Sequence, residues 1–268
     1  MKRADFVMRP HKTEKKAAGG KLRLRVMTYN IHSCVDQSRT VNFDKFVGII
    51  EKRQADIIAL QEVDAQKPFD QNRNQAGMIA DKLKMDHIFF PAEHSSLHAF
   101  GLAILSRYTF TASHGGLLPQ LYARLKPRKR AAVRATLQTP AGPLQIVNAH
   151  LSLFKLERRR QLKTLLGCDW LAGVPAGEPV IFCGDLNAGP LSKTYRTLSR
   201  HLTDVQKELK ILKGAATQPT FHSRSPLFRI DHIFVSQHLR TIQVEVTNSP
   251  DTRTASDHLP LTVDLALL

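Results

Sequence analysis

Asp185 and Asn187 stand two residues apart just past an apolar run, Val180 to Cys183, with Gly184 between the run and the carboxylate. Side chains two apart in an extended segment share a face. A carboxylate beside an amide at a strand end suits phosphate chemistry. The carboxylate holds a hard cation or orients a water, and the amide donates hydrogen bonds to an oxyanion. Taken alone, the pair reads equally well as an Asx-turn. The placement recurs, however: Asn30, Glu62, His150, Asp231, Asp257 and His258 also fall where apolar stretches stop. Together they supply oxygen ligands for a divalent cation, an Asp/His pair able to make a base, and donors for a phosphoryl group. The chain has no GxGxxG, GxxxxGK[ST] or GxSxG segment, so no glycine-rich phosphate cradle or serine elbow competes.

The elements that must position these residues follow from periodicity. Alternation from Leu22 predicts a strand running through His32, and Phe43, Phe46, Val47 and Ile50 recur at helical spacing. A second buried strand is expected over 55–64, a short helix over 75–83, and strands near 87–90 and 102–107. Residues 131–151 read as a hairpin turning at 139–143 and delivering His150 at its far end. A basic amphipathic helix is expected over 157–171 and another helix over 193–201. Strands are expected over 228–235, 241–246 and 259–265. A hairpin among alternating strands and helices excludes a wholly parallel sheet and fits two packed mixed sheets with helices outside.

The chain has 268 residues, 42% hydrophobic and 23% charged, enough for a sizeable core. No apolar run approaches the roughly 20 residues of a membrane span, and no secretory signal is evident. The odd set Cys34, Cys168 and Cys183 argues against a disulfide scaffold or zinc cluster, so a reducing, cytoplasmic setting is expected. Residues 1–20 read as a disordered basic tail, and 21–268 as a single domain. Net charge of +16 points to a polyanionic partner, either a nucleic acid backbone or an anionic lipid surface. No oligomeric state follows from the sequence.

Seven ordered segments give the chain a family likeness: MTYNIH at 27–32, DIIALQEVD at 56–64, GLAILSR at 101–107, NAHL at 148–151, GDLNAGP at 184–190, RIDHIFVS at 229–236 and SDHLPL at 256–261. In these the sequence resembles the endonuclease/exonuclease/phosphatase superfamily, the group containing deoxyribonuclease I and the neutral sphingomyelinases. The resemblance implies a four-layer α/β/β/α sandwich with the site at one end. It implies Glu62 as the principal Mg²⁺ ligand (Mn²⁺ serving in its place), with Asn30 beside it and Asp257 completing the set. Asp185 and Asn187 would handle the nucleophile and the scissile phosphate, and His258 would be the base, oriented by Asp231. His150 would contact phosphoryl oxygens or assist the leaving group. Its position carries tyrosine in apurinic endonucleases, which argues against abasic-site repair. Leu102 stands where many bacterial relatives carry asparagine, so a contact near the substrate is expected to differ.

The expected activity is Mg²⁺-dependent hydrolysis of phosphodiesters, first of DNA or RNA, alternatively of phospholipid or inositol phosphates at an anionic membrane surface. Arg128, Lys129 and Arg130, with Arg158 and Arg159, flank the site and are the expected contacts to substrate phosphates.

Overall fold

The apolar stretches that stop at polar residues become the central strands of two sheets. The computed structural model describes residues 22–66, 74–95, 98–125 and 127–268; the expected basic tail lies outside them. One sheet contains β1 (Arg23–Asn30), β2 (Ile57–Gln66), β3 (Asp86–His94), β4 (His98–Ser106), β11 (Leu239–Val246) and β12 (Leu261–Leu267), in the order β11-β12-β1-β2-β4-β3. The other contains β5 (Thr109–Leu117), β6 (Ala131–Thr139), β7 (Gly142–His150), β8 (Val180–Asp185), β9 (Thr203–Asp204) and β10 (Asp231–Val235), in the order β5-β6-β7-β8-β10-β9.

Each sheet has one parallel pair near its centre, β1 with β2 and β7 with β8, and its other pairings are antiparallel. One core lies between the sheets, built from residues such as Val26, Ile104, Val133, Ile146, Cys183 and Ile233. Helices α1 (Phe43–Glu51), α2 (Gln75–Leu83) and α6 (Pro250–Ala255) lie on the first sheet's side, where α1 and α2 bury Phe46, Ile50 and Ile79 against its outer face. Helices α3 (Lys155–Leu165) and α4 (Lys193–Leu198) cover the second through Leu162, Leu165 and Leu198. The result is the expected α/β/β/α sandwich, with α5 (Val205–Lys213) packed beside β9, β10 and β11.

Local differences have physical causes. The basic helix runs 155–165 rather than 157–171, because Gly167 follows its last turn and Leu171–Gly173 form a separate 3₁₀ turn. The hairpin closes more tightly than expected: Thr139 pairs with Gly142, whose φ of +107° suits glycine. Leu102 sits in the core between the sheets, paired with Gln61 of β2.

Candidate active site

Two parallel pairs and two antiparallel neighbours make the strand ends converge. In β7 and β8 the register sets His150 beside Asp185. The antiparallel β10 starts where β8 ends, which pairs Asp231 with Asp185. Asn30 ends β1 and pairs with Gln61 of β2. Gly184 permits the close approach of β7, since its φ is +134° and a Cβ there would run into the Ala149 carbonyl.

Asp185 is fully buried at the centre. Its Oδ2 lies 3.2 Å from Asn30 Nδ2, 3.2 Å from His150 Nε2 and 3.7 Å from His258 Nε2. Its Oδ1 accepts a hydrogen bond from the Asn187 amide at 2.9 Å, so the Asx-turn is present as well. Burial opposes ionisation of this carboxyl, but His150 and His258 beside it hold it well below the usual carboxylate range.

His258 is fixed from both sides. Its Nδ1 lies 2.8 Å from Asp231 Oδ2, and the Phe221 ring packs against it with centroids 4.9 Å apart. Burial disfavours a charged imidazole, yet the carboxylates of Asp231 and Asp185 outweigh it and push the pKa up to about 10. The two flanking carboxylates thus move the ring out of the near-neutral range usual for histidine. Asp231 does not pair with neighbouring Arg229, whose guanidinium goes to Asp204 at 2.7 Å.

On the other side of Asp185, Arg130 holds His150: its Nη1 lies 2.8 Å from Nε2 and 3.1 Å from Nδ1. Asn187, in the left-handed region at φ +48°, sets its amide nitrogen 3.3 Å from His150 Nε2 and donates to the Leu151 carbonyl at 3.0 Å. Arg130 and Asn187 thus both border the histidine.

Glu62 lies in a β-bulge between Gln61 and Val63, with φ +54°. The bulge breaks strict alternation: Gln61 and Val63 stay buried while the Glu62 carboxylate is partly exposed. Asn30 accepts the His32 amide through Oδ1 at 3.1 Å. Asp257 Oδ1 lies 3.4 Å from Ser256 Oγ, which itself donates to the Asn30 carbonyl at 2.7 Å. Among the described residues, the set of three acidic or histidine side chains close enough to share an ion is Asp185, Asp231 and His258, with ligand atoms within 4.8 Å. Glu62 and Asp257 do not join that set. Asp231 is 1% exposed and its Oδ1 has no hydrogen-bond partner, the kind of orphan that a cation or water satisfies. The partly exposed carboxylates of Glu62 and Asp257 and the amide oxygen of Asn30 are donors of the type a hard divalent cation takes.

The five expected phosphate contacts divide. Arg128, Lys129 and Arg159 are exposed, with the Arg128 guanidinium 4.2 Å from the Phe100 ring centroid. Arg130 turns to His150. Arg158 is buried and donates to the carbonyls of Ser152 and Leu153 at 2.9 and 2.6 Å, so it braces the turn after His150.

Sequence reasoning missed Asn148, which joins the sheets beneath the site. Its Oδ1 accepts from Gln61 Nε2 at 2.7 Å, and its Nδ2 donates to the carbonyls of Leu60 and Ala103, both at 2.9 Å. The available signal was its position two residues before His150, on the same face.

A family model described as "Endonuclease/Exonuclease/phosphatase family" matches residues 27–258. The uncharacterized protein YbhP of Escherichia coli (strain K12) is 26% identical over 91% of this chain and 96% of its own length. A crystal structure of an endonuclease/exonuclease/phosphatase from Beutenbergia cavernae superposes with TM-score 0.71 at 22% identity, covering 91% of this chain and 72% of that one. A mannosyl-6-phosphatase of Bacteroides thetaiotaomicron gives TM-score 0.71 at 20% identity, covering 90% and 99%.

Proposed function

The chain belongs to the endonuclease/exonuclease/phosphatase family, and from that premise we propose that it is a divalent-cation-dependent hydrolase of phosphodiester bonds, with a nucleic acid backbone as its substrate. One observation carries the chemistry: His258 is held between Asp231 and Asp185 with its Nε2 side turned to the site's central carboxylate.

The reaction is an in-line attack by water. The water oxygen bonds to phosphorus as the bond from phosphorus to the leaving oxygen breaks. Neutral His258 takes the water's proton at Nε2, while Asp231 at Nδ1 orients the ring and stabilises the imidazolium that forms. Asp185 orients the water. Asn187 and His150 donate to the non-bridging oxygens, whose charge grows toward the transition state. Arg130 holds His150 in that position; the leaving oxygen takes a proton from solvent as it departs, and His258 returns the water's proton to solvent. Glu62, Asn30 and Asp257 would hold Mg²⁺ or Mn²⁺, which when bound neutralises charge on the phosphoryl group and lowers the proton affinity of His258.

The charge of +16 and the exposed Arg128, Lys129 and Arg159 support the nucleic acid reading. A second reading, a lipid phosphodiester at an anionic membrane, is favoured by apolar side chains near the same mouth. Leu153 and Leu156 are 68% and 54% exposed beside Lys155 and Arg159, and Leu125 is 67% exposed next to Arg124. Phe154 and Tyr122, rings 4.7 Å apart, join the two segments. No described helix is long and apolar enough to cross a membrane. Turnover with Mg²⁺ or Mn²⁺ on duplex DNA, RNA, anionic phospholipid vesicles and inositol phosphates tests both. Cleavage of DNA or RNA is expected. Hydrolysis confined to lipid or inositol phosphates overturns the substrate assignment, and no hydrolysis of any overturns the reaction.

A further inference from the structure

Beside the catalytic loop, a cleft of about 610 Å³ runs between α4 and α5, with Pro190 at its edge. Arg196, Arg200, Lys207 and Lys210 line it, all exposed, and no acidic residue is among its lining. Four like charges around one cleft repel each other unless an anion sits among them. Arg229 also lines the cleft and is only 8% exposed. Its Nη2 donates to Asp204 at 2.7 Å and to the Tyr195 hydroxyl at 3.1 Å, but its Nε is buried with no acceptor. A buried guanidinium N–H without an acceptor is costly, and Arg229 is the cleft-lining residue that carries one.

The same arginine is tied to the catalytic loop. Asp204 Oδ2 lies 3.4 Å from His232 Nδ1, and His232 Nε2 donates to the Ala188 carbonyl at 2.8 Å. Ala188 follows Asn187, whose left-handed backbone aims its amide at His150. A ligand that orders Arg229 therefore bears on the residue next to a substrate contact.

We propose that this cleft is a second anion site that takes a phosphate group, coupled to the Asn187 loop through Arg229, Asp204 and His232. The phosphate is either a further phosphate of the substrate or free inorganic phosphate. The coupling to turnover rests on the hydrolase reading above; the binding does not.

Two arms test it. In the first, inorganic phosphate is titrated calorimetrically into the full chain in EDTA, as wild type and as Arg200→Ala/Lys210→Ala. The double variant should bind phosphate at least about tenfold more weakly, a loss of one affinity decade. Equal binding by the wild type and the double variant overturns the site. In the second, kcat/KM with Mg²⁺ is compared for a thymidine dinucleotide with and without a 5′-phosphate. If the substrate supplies the phosphate, the ratio exceeds one in the wild type and falls toward one in the double variant. If free phosphate is the occupant, the ratio stays at one, and added phosphate alters turnover of bis(p-nitrophenyl) phosphate more in the wild type than in the double variant. Neither behaviour overturns the coupling. Absence of all turnover defeats the hydrolase reading and leaves calorimetry to decide the cleft.

Discussion

Asp185 and Asp231 face each other across the antiparallel pairing of β8 with β10, and the ring of His258 reaches both. Its Nδ1 is 2.8 Å from Asp231 and its Nε2 is 3.7 Å from Asp185. One backbone register thus sets both carboxylates that flank the His258 ring.

The dyad should behave as a unit. His258→Ala and Asp231→Asn should each lower kcat by about a hundredfold or more. The double variant should be little worse than His258→Ala, because both substitutions remove one step. Steady-state kinetics of the four proteins makes the comparison, and losses that multiply would sink the dyad.

Arg130 and its neighbours should separate by assay. Arg128→Ala/Lys129→Ala should flatten the salt dependence of DNA binding, whose log–log slope is roughly −0.9 for each phosphate neutralised on duplex DNA. Arg130→Ala should instead lower kcat on a small activated diester, since its guanidinium holds His150 rather than a phosphate. A kcat untouched by Arg130→Ala would contradict that placement.

Asp204 ties stability to acid pH. Burial opposes its ionisation, but His232 and Arg229 beside it outweigh that and lower its pKa. A carboxyl lowered in the folded state stabilises fully above its unfolded value of about 3.9 and loses that contribution as pH falls through the folded value. Asp204→Asn should cost about 3 kcal/mol at pH 7, because Arg229 stays buried without its carboxylate. Urea unfolding at several pH values should show the gap between the two proteins narrowing below about pH 4. A gap that widens there would contradict the pairing.

Asn148→Ala should cost about 2–3 kcal/mol, since it strands the carbonyls of Leu60 and Ala103 between the sheets. The urea midpoint reads this directly. A change under about 0.5 kcal/mol, the size of an ordinary surface substitution, would mean that the two sheets do not depend on the clamp.

Apolar runs that stop at polar residues were legible because buried strands write themselves as runs such as Val180–Cys183. The layer order and the grouping of Asp185, His150, Asp231 and His258 followed from those runs and the family likeness. Edge strand β5 was not legible: TFTASHGGL buries one of its nine residues fully, so no alternation marks it. Strand β9 has two residues, too few for any period. Helix α5 did carry signals, an Asp204 N-cap and Gly214 at its end, but it was not anticipated. Partnerships across the chain were out of reach. Gln61 meets Asn148 across 87 positions, and Arg229 pairs with Asp204 rather than with Asp231 two residues along. Charge alone cannot tell an arginine that meets solvent, such as Arg159, from one turned inward, such as Arg158.

The central claim is hydrolysis of a phosphodiester that depends on a divalent cation at Glu62. Turnover of bis(p-nitrophenyl) phosphate by the full chain, titrated with Mg²⁺ from an EDTA-treated start, tests it most directly beside Glu62→Gln. The predicted result is no turnover in EDTA, saturable activation by Mg²⁺, and at least about a tenfold higher Mg²⁺ requirement in Glu62→Gln, which loses a formal charge but keeps the shape. Equal rates in EDTA and Mg²⁺, or identical Mg²⁺ curves for the two proteins, would contradict it.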